Sequence, residues 1–134
     1  KGRIAIVDKD RNGNTDTVQA QELFGADVRG RNVVIFDDEA DTLGTIIAAV
    51  GILREHGAQE ITAACIHGVL SGPAIGRLAE LDIKRLVVTD TFPLPDEKIA
   101  LVKNKIEIVS AVPLFAKAIE CLYNEQSLGH FYDY

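Results

Sequence analysis

The 134-residue chain has no methionine, two cysteines, fewer basic than acidic residues and no long apolar run. Each shortage excludes something. Lys and Arg number 14 against 20 Asp and Glu, for a net charge of −6. Without a basic cluster there is no electrostatic footprint for nucleic acid. No apolar stretch approaches the roughly 18 residues of a membrane span, and nothing has the composition of a signal peptide. Cys65 and Cys121 both sit in apolar surroundings. They read as reduced core thiols of a cytoplasmic protein, and no Cys/His spacing suggests zinc. Repeats and low-complexity segments are absent as well. The chain opens on KGRIAIVDKD, without a leader or an initiator methionine, which leads to the expectation of a segment cut from a longer protein.

What is present is enough apolar sequence for a core. Hydrophobic residues make up 47% of the chain, and its length suits one domain spanning 1–134. Short apolar runs recur between polar turns: RIAIVD (3–8), VVIFDD (33–38), ITAACI (61–66), RLVVTD (85–90) and IEIVS (106–110). Each reads as a strand buried on both faces. Helical spacing is expected over 45–56, ending at Gly57, and over 71–81, with Ser71 as cap and Pro73 in the first turn. A third helix is expected over 110–123, and LPDEKIALVKN fits a short helix or a loop. Residues 9–17 read as a mobile loop, and TVQAQELF after them fits either a half-exposed strand or a helical turn. Strand alternating with helix predicts an α/β fold with a mostly parallel sheet flanked by helices.

One stretch carries chemistry. VVIFDDEADTLGT (33–45) drives a strand into Asp37 and Asp38, then Asp41, Thr42, Leu43, Gly44 and Thr45. The loop opens a helix, whose first N–H groups are unpaired and carry the positive end of the dipole. Thr42 and Thr45 add hydroxyl donors, and Gly44 permits close backbone approach. Such a turn suits a phosphate monoester. Asp37 and Asp38 cannot hold phosphate directly, because like charges repel. They can accept hydrogen bonds from sugar hydroxyls or hold Mg²⁺. Phosphate at one end and vicinal hydroxyls at the other describe a sugar phosphate such as ribose 5-phosphate.

This stretch resembles the 5-phosphoribosyl 1-diphosphate motif, shared by type I phosphoribosyltransferases and by ribose-phosphate diphosphokinase (PRPP synthetase). IAIVDKDR, IHGVLSGPAI (66–75), VVTDTFPLP (87–95), VPLFAKAI (112–119) and NEQSLGHF resemble further segments of the synthetase in series, across essentially the whole chain. The resemblance implies a type I phosphoribosyltransferase-like fold and the latter part of a two-domain enzyme. That enzyme moves diphosphate from MgATP to the C1 hydroxyl of ribose 5-phosphate, giving PRPP and AMP. It implies that Asp37 and Asp38 hold the ribose hydroxyls, directly or through Mg²⁺, and that Asp41, Thr42, Leu43, Gly44 and Thr45 hold the 5-phosphate. Lys9 and Arg11 match the catalytic flexible loop, expected here over 9–17, with Arg11 also near the sugar phosphate. The partners implied are ATP, ribose 5-phosphate and further copies of the chain, as homodimers or homohexamers. A non-catalytic regulatory subunit, or a type I phosphoribosyltransferase that consumes PRPP, are the competing readings. His67 and Asp90 each follow a strand; His67 reads as structural or as a nucleotide contact, and Asp90 as a turn or cap. Glu39 and Ile66 depart from the family's usual residues.

Overall fold

A computed structural model describes residues 2–10 and 19–131. The described elements begin with two strands, β1 (Ala5–Asp10) and β2 (Gln19–Gly25), paired antiparallel with a register irregularity between Asp8 and Lys9. Then come β3 (Asn32–Glu39), α1 (Gly44–Glu55), β4 (Glu60–His67), α2 (Ala74–Glu80), β5 (Arg85–Thr89), α3 (Asp96–Val102), β6 (Ile106–Val109) and α4 (Val112–Tyr123). Strands β3 to β6 form a parallel sheet in sequential order. Alternating β and α with a parallel sheet is the α/β architecture that the sequence pattern predicts.

Sequential order has a consequence for burial. Right-handed crossovers in an unbroken 3-4-5-6 order carry every connecting helix to the same side of the sheet. One face of the inner strands is therefore covered, with Ile61, Ala63, Cys65, Leu86 and Val88 all buried, whereas β3 is only half-buried on that side and β6 largely exposed. The alternate residues are not, and Phe36 is 82% exposed. The strands are thus buried on one face at most, not on both as their continuous apolar runs suggested. The first strand also departs from expectation. Its apolar run forms an antiparallel ribbon with β2 instead of joining the parallel sheet, and Ile4 and Ile6 are exposed. Of the segment expected to be a flexible loop, Lys9 and Asp10 still belong to β1, whereas 11–17 lie outside the described residues.

The core lies between the covered sheet face and the helices. Ile46, Val50 and Leu53 of α1 pack there with Ile61, Ala63, Leu78 and Leu86. The end of α1 is set by Gly57, at φ +79°. With that left-handed residue, Ala58 N–H reaches Leu53 O and Gly57 N–H reaches Arg54 O, both at 2.9 Å. This pair of bonds is the Schellman ending, and Ala58 and Leu53 supply its buried apolar contact. Helix α2 begins three residues later than expected. Pro73 takes the cap position without a side-chain bond, and Ser71 contributes its carbonyl to Ala74 N–H at 3.1 Å. LPDEKIALVKN holds the short helix α3. Cys65 and Cys121 are both buried.

Candidate functional site

The acidic turn stands at the carboxyl edge of β3, where ligand loops of parallel sheets gather. Strand β3 carries Asp37, half-buried, and Asp38, exposed, with Asp38 N–H donating to Asp37 Oδ1 at 3.1 Å. The chain then locks onto the neighbouring strand end. Ala40 N–H donates to His67 O at 2.8 Å, and Leu70 N–H donates to Ala40 O at 3.0 Å. Ala40 is 1% exposed, so this crossing is buried. Asp41 follows, half-buried, with Oδ1 shielded from solvent and lacking a hydrogen-bond partner among the described residues.

Leu43 makes the turn. It adopts the left-handed conformation, φ 66° and ψ 7°, and caps α1 with its own backbone, its carbonyl accepting Ile47 N–H at 2.9 Å. A non-glycine residue there is uncommon. It is held by its side chain, which is 3% exposed in the core. Helix geometry leaves the N–H groups of Gly44, Thr45 and Ile46 without intrahelical acceptors. The cap residue Leu43 offers them no side-chain bond, and no acid occupies the first turn of α1. Helix α3 is the contrast: Asp96 and Glu97 sit in its first turn and offset its dipole. The start of α1 is left positive and open, as an anion site requires. Thus Asp37, Asp38, Asp41, Thr42, Leu43, Gly44 and Thr45 come together in one strand-to-helix turn.

Other candidates fall around it. Lys9 is paired through the backbone with Ala20 in the ribbon, and Arg11 lies outside the described residues. Glu39 is exposed and is the register partner of His67 on β4. His67 Nδ1 lies 2.9 Å from Thr91 Oγ1, and Thr91 in turn bonds Thr89 Oγ1 at 2.7 Å. Thr89 Oγ–H donates to Ile66 O at 2.6 Å, which ties the β5 end to the β4 end. Asp90 is a cap, and it serves a different element, the start of α4. Two features escaped sequence reasoning: this threonine–histidine chain, and Arg77 of α2, whose Nη1 donates to Thr42 O at 2.8 Å. The only hint of Arg77 in the sequence is that it is the sole cation of its short helix.

No group of three or more His, Cys, Asp or Glu side chains among the described residues forms a metal cage. Mg²⁺ does not need one. It binds through one or two carboxylates and completes its shell with water and substrate oxygens, so the adjacent Asp37 and Asp38 suit it as donors.

Comparison with known proteins places the chain in a family. The chain is 43% identical over 129 residues to the ribose-phosphate pyrophosphokinase of Caldanaerobacter subterraneus subsp. tengcongensis, covering 96% of this chain and 39% of that protein. It is 42% identical over 131 residues to the enzyme of the same name from Rhodopirellula baltica, covering 98% of this chain and 40% of that one. The chain therefore spans about 40% of the length of the curated relatives it matches. The crystal structure of phosphoribosylpyrophosphate synthetase from Mycobacterium smegmatis superposes with a TM-score of 0.70 at 36% identity, over 84% of this chain and 35% of that one. The fold is thus that of the PRPP synthetase domain, type I phosphoribosyltransferase-like. The phosphoribosyl synthetase-associated domain matches residues 2–133, and the chain belongs to that family, as a homologue of ribose-phosphate pyrophosphokinases.

Proposed function

We propose that this chain is the ribose 5-phosphate-binding portion of a ribose-phosphate diphosphokinase. The observation that carries the reading is the turn at 37–45: a carboxylate-rich strand end, then the left-handed Leu43, then a helix start whose first turn is free of acids. The 5-phosphate would accept N–H bonds from the start of α1 and hydroxyl bonds from Thr42 and Thr45. Asp37 and Asp38 would take the ribose hydroxyls, at the distance from the phosphate that the like charges demand. The diphosphate donor would then be bound by the remaining length that the relatives possess.

In the reaction, the C1 oxygen attacks the β-phosphorus of ATP, the bond to the α-phosphate oxygen breaks, AMP leaves, and the hydroxyl proton is lost. Phosphoryl transfer depends on positioning and charge neutralisation more than on covalent catalysis. Lys9 and Arg11 are the cations of this chain proposed to meet the developing charge, with Arg11 also near the sugar phosphate. Mg²⁺ held at Asp37 and Asp38 would neutralise phosphate charge. The partners are ATP, ribose 5-phosphate and further copies of the chain in a cytoplasmic homo-oligomer.

The test is a titration of ribose 5-phosphate into the chain, with and without Mg²⁺, beside Thr45→Val, which removes one of the proposed phosphate donors. Saturable binding that the variant weakens supports the half-site. A folded chain that does not bind refutes it. In the full-length enzyme, AMP release from ATP and ribose 5-phosphate distinguishes the synthetase from a transferase, which would consume PRPP with a nucleobase. It also excludes a purely regulatory subunit.

A further inference from the structure

The phosphate loop is gripped from outside by a residue that no sequence motif singles out. We infer that Arg77 is a positioning residue for ribose 5-phosphate, acting through the peptide between Thr42 and Leu43; this rests on the half-site reading above.

The bond runs from Arg77 Nη1 to Thr42 O, at 2.8 Å, between groups 35 positions apart in sequence. Its base is rigid. Arg77 N–H donates to Pro73 O at 3.0 Å, and Leu81 N–H donates to Arg77 O at 2.9 Å. Ala74 and Leu78 of the same helix, four residues apart and so on one face, are fully buried. The guanidinium therefore projects from an anchored platform.

Its target is the peptide that decides the geometry of the loop. A trans peptide points its N–H opposite to its C=O. Fixing the Thr42 carbonyl fixes the direction of Leu43 N–H, at the residue that holds the left-handed turn. Leu43 is pinned from the core side by its buried side chain, and Arg77 pins the preceding carbonyl. Without the second hold, the peptide can rotate and the N–H groups opening α1 lose their common direction. Charge acts in the same sense. No carboxylate among the described residues pairs with Arg77, so its full charge stands beside a loop that is to receive a dianion. The other donors of the planar fork remain free to hold water or neighbouring carbonyls.

The experiment compares the wild-type chain with Arg77→Met, Arg77→Gln and Arg77→Lys. Ribose 5-phosphate and inorganic phosphate are titrated by calorimetry, and amide exchange is followed at Leu43, Gly44 and Thr45 without ligand. Arg77→Met should weaken both ligands about tenfold, the scale of one charge-assisted hydrogen bond. Exchange at the three amides should quicken while the midpoint of thermal unfolding stays nearly unchanged, which a merely structural role would not produce. Arg77→Gln, keeping a donor, and Arg77→Lys, keeping donor and charge, should fall between. Wild-type affinity and wild-type exchange in Arg77→Met would overturn the role and leave the half-site reading standing. If Arg77→Met fails to fold, the same result in Arg77→Gln overturns it. A wild-type chain that binds neither ligand overturns both.

Discussion

The carboxylate of Asp90 accepts the N–H of Ala111 at 2.8 Å, so the end of β5 caps the helix that follows β6. Its other oxygen accepts the Ser110 hydroxyl at 2.5 Å, and Ser110 Oγ accepts Val112 N–H at 3.3 Å. The start of α4 thus has its first two donors met by Asp90, just past β5, and by Ser110. Helix α4 buries only Cys121 among its twelve residues, so it has little packing with which to replace a lost cap.

The cap makes α4 sensitive to acid. The Ser110 hydroxyl, then the Ala111 N–H, hold the Asp90 carboxyl below the ordinary aspartate value of 3.8. A group with a lowered folded pKa stabilises fully above its unfolded pKa, and that contribution disappears as pH falls through the folded value. Protection of the Ala111, Val112 and Leu114 amides, measured against their intrinsic exchange rate at each pH, should therefore fall below about pH 3.8, before the central strands respond. Asp90→Ala should show low protection there at neutral pH and no further loss of protection between pH 5 and the acid limit. An acid response retained in Asp90→Ala would assign it to another group.

Gly68 is fixed by a close approach. A Cβ there would lie 2.9 Å from Val88 Cγ2 and 3.0 Å from Val88 Cβ and Cγ1, and Val88 is a core residue of β5. Gly68→Ala must push β4 and β5 apart just beyond His67, whose carbonyl holds Ala40. A loss of about 1–3 kcal/mol is expected, as for other overpacked cores. Adding Val88→Ala removes two of the three clashing carbons, so the double variant should lose less than the sum of the singles. Denaturant melts of the four proteins decide it, and strict additivity would contradict the clash.

The sequence made some of this legible and hid the rest, for physical reasons that individual residues show. Gly57 ended α1 as expected, because a left-handed helix ending has a residue of its own. Ser71 misled, because a hydroxyl residue before Pro73 signals a helix start without fixing its register. IAIV announced a strand but not its partner, so the antiparallel ribbon was not foreseen. VVIFDD read as buried on both faces because apolar side chains record hydrophobicity and not which face the connecting helices will cover. The turn at 37–45 was legible because its parts are contiguous. Arg77 was not, since its contact with Thr42 exists only once α2 has folded against the loop.

Two left-handed residues test opposite sides of one energy balance. Glu125 follows α4 at φ 54°, where Gln126 N–H reaches Cys121 O at 2.8 Å and Glu125 N–H reaches Leu122 O at 3.2 Å. This is the ending of α1 repeated without its glycine, and the Glu125 side chain is exposed. Left-handed backbone costs a non-glycine residue about 1–2 kcal/mol, and glycine returns roughly 0.5–1 of that through its freer unfolded chain. Glu125→Gly should therefore stabilise by about 0.5–1 kcal/mol, and Gly57→Ala should destabilise by a similar or larger amount.

Leu43→Gly tests the other side. The same backbone relief is available at φ 66°, but the side chain is only 3% exposed. Losing a buried leucine costs about 2–5 kcal/mol, which exceeds any relief of strain. Net destabilisation of roughly 2 kcal/mol or more is expected. Because the side chain is also what holds the turn, affinity for ribose 5-phosphate should fall in the folded variant. Leu43→Ala keeps the strained backbone and loses most of the packing, so it should be at least as unstable as Leu43→Gly. Thermal melts of both variants beside Glu125→Gly give the comparison. A stabilised Leu43→Gly would mean that backbone strain outweighs burial at this turn, and that the left-handed residue is held there by the needs of the site against those of the fold.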